Sequence, residues 1–366
     1  MITVNFSHDE TTIPMKNVST ITQASYITAM LFLLIPAAVV VMAPANGFAQ
    51  EKTEANRQAS ISTILRAVVG IHTKIPKDAL SAKTLGTERE GSGVLIDSSG
   101  LILTVGYLVL EANKIEIVRP GGKKIPAKLI GYDSDSGLSL IKATQSLKLK
   151  PVNIGNSKKL KPGSRVMIVS HAGMPPVSAS QVVSRRSYAG YWEYVVDDAI
   201  YISPPHDNYV GAVLFGEGGE VQGIGSMFVN DAIAPNVQLP GNMFVPVNAF
   251  KNVMLDLMNR GRPSGPERPW IGVHINEVEG KVRVVRIAKN GPAESAGIKP
   301  GDVIVGVGGK PVKSMEALFR QVWARGDAGV NIPLDIVTEA KGDLRVRRVD
   351  VKSQSRYESY KIKFRK

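Results

Sequence analysis

From Gly91 to Ile224 the chain is cut into short runs of β-branched and aliphatic residues, with Gly, Pro, Ser and Asp turn signals recurring about every 8 to 12 residues. Runs this short leave no room for helices with a continuous apolar stripe. Strands of this length bury a face only when their sheet closes or stacks, so a mainly β barrel or sandwich is expected. The clearest strands are Val94 to Asp97, Leu101 to Thr104, Lys114 to Arg119, Ile125 to Tyr132, Leu138 to Ala143, Arg165 to Ser170 and Val221 to Ile224. Turns fall between them at Ser98-Ser99-Gly100, Pro120-Gly121-Gly122 and Glu217-Gly218-Gly219. Ahead of this region, Ile61 to His72 reads as a short helix running into a strand, and Lys74 to Glu90 as a polar loop.

Phe250 to Asn259 is the first convincing amphipathic helix after the strands, with Gly261 as its natural C-terminal cap. The next stretch, Gly261 to Arg268, is rich in Gly, Pro and Arg without apolar periodicity, and it marks the best domain boundary in the chain. A second domain should follow, with strands at Trp270 to Ile275, Val282 to Ile287 and Val303 to Val307, a helix from Met315 to Ala324, and closing strands at Ile332 to Thr338 and Leu344 to Val351. The reading is therefore residues 1–49 as a leader, 50–90 as a linker with an N-terminal helix and strand, 91–260 as the β domain, 261–268 as a linker, 269–352 as the second domain and 353–366 as a solvated basic tail.

The leader rests on Tyr26 to Ala43, an uncharged apolar run followed by Pro44 and a small-residue cleavage pattern that puts a cut after Ala49. Asp9 and Glu10 suit such a leader poorly, and a start at Met15 would suit it better. The competing expectation is an uncleaved inner-membrane anchor, since the run approaches the length needed to span a bilayer. Export to the periplasm is expected either way. The chain has 366 residues and no cysteine, so disulfides, a thiol nucleophile and Cys-based zinc sites are excluded. A formal net charge of +13 favours anionic membrane or cell-wall surfaces and acidic partners; the charges are scattered rather than striped with aromatics, which argues against nucleic acid.

The run Gly91-Ser-Gly-Val-Leu-Ile-Asp-Ser-Ser-Gly-Leu-Ile-Leu-Thr104, followed in order by Ile125 to Asp133, Ile154 to Gly163, Gly219 to Ile224 and Phe244 to Ala249, resembles HtrA/Do-like (DegP-like) serine proteases, the first of these being similar to the strand pair that opens their catalytic region. In the second domain Arg268-Pro-Trp-Ile-Gly-Val273, Gly291 to Ile304 and Gly309 to Val312 resemble an HtrA-type PDZ domain. The resemblance implies a chymotrypsin-like double β-barrel followed by a C-terminal PDZ domain with a groove helix. It also implies three catalytic slots, none filled by its usual residue. The base slot in a Thr-x-x-His pattern is Thr104-Val-Gly-Tyr107; the acid slot is Gly137; the nucleophile slot is Tyr209 or Val210, depending on register. A phenol titrating near 10 cannot act as a base at neutral pH, glycine orients nothing, and neither Tyr nor Val carries a serine hydroxyl. Asp135, and a cluster of Ser203, His206 and Asp207, are the only nearby substitutes; His171 with His206 and Asp207 is the one metal set considered, and unrelated loop histidines explain it better.

The PDZ resemblance implies capture of a peptide end by strand addition, with its carboxylate on backbone amides. Trp270, Ile271, Gly272 and Val273 would form the carboxylate loop and following strand, and Leu318, Phe319 and Val322 the groove helix wall, Leu318 and Val322 lining the side-chain pocket. The expected function is a pseudoprotease that binds C-terminal or extended peptide segments as scaffold, holder or regulator, able to assemble with itself or with HtrA-like proteins, and needing no cofactor or metal. The alternatives are a periplasmic endopeptidase using displaced residues and a basic adhesion protein for an anionic surface.

Overall fold

The computed structural model describes residues 61–172, 176–340, 343–362 and 364. The leader, its cut after Ala49 and the start at Met15 lie outside the described residues. Among the described residues no helix is long and apolar enough to cross a membrane. Residues 61–67 are helical (α1) and run directly into β1, Val68–Lys74, after which comes a short helix α2, Ala82–Leu85.

The first closed barrel joins β1, β2 (Glu88–Leu95), β3 (Leu101–Val105), β4 (Lys114–Val118), β5 (Lys124–Tyr132) and β6 (Leu138–Ala143) in the order β1-β2-β3-β6-β5-β4. Alternation sets which side chains fill it: in β4, Ile115 and Ile117 are buried and Lys114 is exposed. The turn between β2 and β3 is held by Asp97, whose Oδ1 accepts from the amides of Ser99 (2.9 Å) and Leu101 (3.0 Å). Closure leaves no free edge for another strand to join.

The second closed barrel joins β7 (Arg165–Val169), β8 (Val177–Gly190), β9 (Tyr194–Ser203), β10 (Val213–Phe215), β11 (Val221–Val229) and β12 (Gly241–Pro246) in the order β10-β11-β12-β9-β8-β7. The two barrels share one apolar cluster, in which Phe215, Val245 and Phe250 lie with Ile71, Ile102 and Ile117. Helix α3, Val247–Arg260, buries Val247, Phe250 and Leu257 against the barrels and ends at Gly261, in the left-handed conformation at φ +81°. β8 and β9 are the longest strands of this barrel, 14 and 10 residues, and pair as a hairpin whose turn is Tyr191-Trp192-Glu193.

Beyond α3, strands β13 (Val273–Val278), β14 (Lys281–Ile287), β15 (Val303–Val307), β17 (Asn331–Ala340) and β18 (Asp343–Lys352) form an antiparallel sheet, with the short β16 (Lys310–Pro311) paired to β15. The short helix α4, Pro292–Ser295, lies between β14 and β15, and helix α5, Met315–Trp323, is capped by Ser314, whose hydroxyl accepts from Ala317 N at 3.0 Å, and buries Leu318, Phe319 and Val322. The strand expected from Trp270 begins only at Val273: Trp270 pairs with Gln354, and the amides between are turned elsewhere. A second departure is the end of the chain. The sequence reading makes 353–366 a solvated tail, yet Arg356 and Tyr357 are buried, and Tyr357, Ile362 and Phe364 pack with Leu110 and Tyr132 of the first barrel. An aromatic every few residues supplies an apolar face that the density of Lys and Arg conceals.

Candidate functional site

Tyr107 lies in a single 3-10 turn, Gly106–Leu108, at the end of β3. The turn is fixed from beneath by Arg89, 5% exposed, whose guanidinium donates to Tyr107 O (2.6 Å), Leu110 O (3.2 Å) and Ser81 Oγ (2.7 Å). Burial pulls the Arg89 guanidinium down to about 10, which leaves it charged at neutral pH. Gly106 donates to Gly137 O at 2.6 Å, and a Cβ on Gly91 would meet both Leu108 and Val210 within 2.9 Å, so the three slots named from the sequence converge on one corner between the barrels.

The side chains of that corner are engaged with one another and with nearby backbone. The Tyr107 hydroxyl donates to Ser226 O at 2.8 Å, and burial, reinforced by Tyr209, Tyr194 and Tyr188, pushes its phenol well above the ordinary value. Its proton is thereby held, where a base would have to take one up. Gly137 sits at φ +73°, and a Cβ there would lie 3.0 Å from the Tyr194 ring. Tyr194 therefore occupies the space in which an orienting carboxylate would have to stand. Val210 offers an isopropyl group, its carbonyl accepting from Ser92 N at 2.9 Å; the amides of Gly211 and Ala212 donate to Gly225 O and Tyr209 O at 2.9 and 3.0 Å. The Tyr209 phenol accepts from the Phe228 amide, while burial raises it.

The substitutes weighed from the sequence are spent elsewhere. Asp135 pairs with Arg268 Nε at 3.1 Å. Ser203 Oγ donates to Pro240 O at 2.8 Å, and His206 instead places Nδ1 2.9 Å from Ser178 Oγ and Nε2 2.9 Å from Ser170 Oγ. Burial lowers the His206 imidazole, with Asp207 opposing, and the residue is 4% exposed. His171 lies in a different setting, its ring against Gly70 and its amide on Ser92 Oγ at 2.9 Å. Among the described residues no group of three or more His, Asp or Glu side chains is placed to hold a metal.

The amides of residues 271 to 273 converge on a carboxylate of the chain itself. The amides of Ile271, Gly272 and Val273 donate to the carboxylate of Glu193 at 2.9, 2.6 and 2.9 Å. Gly272 at φ +79° lets three successive N–H groups turn toward one point, the backbone nest that receives anions. Glu193 is 2% exposed and comes from the tip of the β8–β9 hairpin in the other domain. Burial pushes its carboxyl up, opposed by the Arg356 guanidinium and the three amides. Arg356 also donates to Trp192 O at 3.0 Å and to Glu193 O.

The hairpin follows the groove further. Ile275 N donates to Tyr191 O at 2.9 Å, a bond of the kind an added strand makes with β13. Val195 and Ala189 of the hairpin join the apolar cluster that holds Ile271, Val273, Leu318, Phe319 and Val322, and α5 lies against both hairpin strands. At its rim Arg320 pairs with Asp197. Trp270 contributes no amide to the site; its ring packs 5.8 Å from Tyr360. Glu193, Arg356 and Tyr194 were not singled out by sequence reasoning. The available signal was the run Tyr194 to Ser203, whose apolar content suits a strand, preceded by the turn-forming Gly190.

Two closed barrels meeting at this corner, followed by an antiparallel sheet of β13 to β18 with α5 packed beside it, define a trypsin-like peptidase domain joined to a PDZ domain. The comparisons agree. The family described as "Trypsin-like peptidase domain" matches residues 91–224, and "PDZ domain" matches residues 269–344. The chain thus carries a trypsin-like peptidase domain and one PDZ domain, and the relatives it matches are named as serine endoproteases. It is 28% identical over 289 residues to "Periplasmic serine endoprotease DegP" of Salmonella typhimurium, covering 74% of this chain and 59% of the relative. It is 31% identical over 240 residues to a "Probable periplasmic serine endoprotease DegP-like" of Hahella chejuensis, covering 61% and 49%. It therefore spans about half to three-fifths of the length of such relatives. The solved "HtrA-type protease AlgW with tripeptide" aligns at 19% identity and a TM-score of 0.48, over 82% of this chain and 97% of that one.

Proposed function

We propose that the chain is a periplasmic pseudoprotease that recognises peptide or protein C-termini through its PDZ domain. The observation that carries the first half is the corner at Tyr107: its hydroxyl is committed to Ser226 O, and Tyr194 covers Gly137. A trypsin-like site works by passing the serine proton to an imidazole held by a carboxylate, and these residues supply none of the three groups. The second half rests on the nest at Ile271 to Val273, which receives a carboxylate in the way a PDZ domain receives a peptide end. The periplasmic assignment rests on the named location of the relatives and on the leader pattern ending at Ala49. Assembly with itself or with HtrA-like proteins would place this binding domain beside active enzymes.

The catalytic half is tested by treating the full chain with a fluorophosphonate serine probe and with casein, beside a Ser203→Ala variant. No labelling and no digestion are expected. Labelling that Ser203→Ala abolishes would establish an endopeptidase with a displaced nucleophile instead.

A further inference from the structure

We infer that Glu193 is a ligand the chain carries for its own PDZ groove, so that an outside peptide carboxylate binds only by displacing the tip of the β8–β9 hairpin. This rests on the proposed reading of the groove as a receptor for carboxylate-ended peptides.

Four independent contacts reproduce the parts of a bound peptide. The Glu193 side chain takes the three amides of the nest, and Tyr191 O takes the Ile275 amide of β13. Val195 enters the apolar cluster between β13 and α5. Arg320 of α5 reaches Asp197 and Ser187 of the hairpin, and it also pairs with Glu316 on its own helix. The backbone at the tip is specialised for this. Glu193 is held at φ +57°, a conformation that residues with a Cβ adopt rarely and at a cost, in a turn where Gly or Asn would be easier. What Glu adds over those residues is a carboxylate long enough to cross into the second domain.

A tethered ligand acts at an effective concentration that free peptides seldom reach. The affinity measured for an outside peptide is then its intrinsic affinity reduced by the fraction of molecules with the groove open. The neighbours of Glu193, Trp192 and Tyr194, stack with ring centroids 6.3 Å apart, and Tyr194 is the ring that covers Gly137.

The test uses the full chain, Glu193→Ala and Glu193→Gln. Each is titrated into a fluorescein-labelled pool of decapeptides with four randomised final residues and a free carboxylate, and into the same pool ending in carboxamide. Hydrogen exchange of the segment 270–276 is followed without peptide. Both variants should bind the carboxylate pool at least about ten-fold more tightly than the unaltered chain, with the carboxamide pool weak throughout and the segment exchanging faster. Gln keeps the length of the side chain, so it reports even where Ala loosens the fold. Equal binding and equal exchange in all three would overturn the inference and leave peptide capture standing. Faster exchange in the variants with no binding of either pool would uphold Glu193 as the internal ligand and end the peptide-capture reading. Unchanged exchange with no binding would end both, and equal binding of the two pools would show that the nest does not read carboxylates.

Discussion

Gly137 turns the chain at φ +73°, accepts at its carbonyl from Gly106 N, and lies under the Tyr194 ring. Any side chain there meets strain from the backbone and a contact at 3.0 Å from its first carbon. Rebuilding a triad as Tyr107→His, Gly137→Asp and Val210→Ser is therefore expected to give no endopeptidase. The Gly137→Asp step alone should lower stability by about 1 to 3 kcal/mol, read as a fall in the urea midpoint at constant slope. His274 on β13 offers a second single-residue test. Burial, then Arg286 and Arg356, lowers its imidazole to about 4. The folded state thus favours the neutral ring, while the unfolded chain protonates it near 6.5. Stability attached to His274 is complete above about 6.5 and is lost as pH falls toward about 4, because over that window the unfolded state binds more protons. The difference in unfolding free energy between the chain and His274→Asn should shrink across that interval by on the order of 2 kcal/mol, after allowance for partial exposure. A difference that stays flat from pH 7 to pH 4 would contradict the assignment.

Elements differ in how plainly the sequence announces them. The strands of the first barrel are short, rich in aliphatic residues and set off by turn residues, and they lie where those signals put them, as at Leu101–Val105 and Leu138–Ala143. Helix α5 is equally plain, with Ser314 ahead of Met315 and apolar residues recurring at helical spacing. The β8–β9 hairpin is not. β8 carries Ser, Gln and Arg at positions that an isolated sheet would leave in water, and several of these are satisfied by partners distant in sequence: Ser184 Oγ donates to Ala232 O at 2.6 Å, and Arg185 NH1 to Ser157 O at 2.7 Å. Polarity that is paid for by remote carbonyls looks, in one dimension, like a loop. The docking of Arg356 and Tyr357 was hidden for the same reason. Tyr357 OH donates to Tyr132 O at 3.1 Å across 225 positions, and no local pattern encodes such a pair. The three amides of the carboxylate loop could be anticipated from Gly272; what would fill them could not.

At the scale of the molecule, the hairpin, the tail and the linker tie the PDZ domain to the barrels at separate points. Glu193 binds the nest, Arg320 pairs with Asp197, Arg268 pairs with Asp135 and stacks 4.1 Å from the Trp323 ring, and Arg286 donates to Thr84 Oγ1 at 2.7 Å. The exposed ion pairs contribute little each, commonly under about 1 kcal/mol. The Glu193 site differs in kind, since its carboxylate and its amides are both withdrawn from water and would be left unsatisfied if only one moved. Domain separation consequently costs far more through this contact than through the others, and the two domains should unfold as one cooperative unit. Calorimetry of the full chain is expected to show one transition for the barrels and the PDZ domain, with calorimetric and van't Hoff enthalpies close to equal. Glu193→Ala should resolve it into two, the PDZ domain melting separately, whereas Asp197→Ala should leave a single transition with a small downward shift. Two transitions in the unaltered chain would mean that the hairpin does not couple the domains, and one unsplit transition in Glu193→Ala would place the coupling in the tail and linker instead.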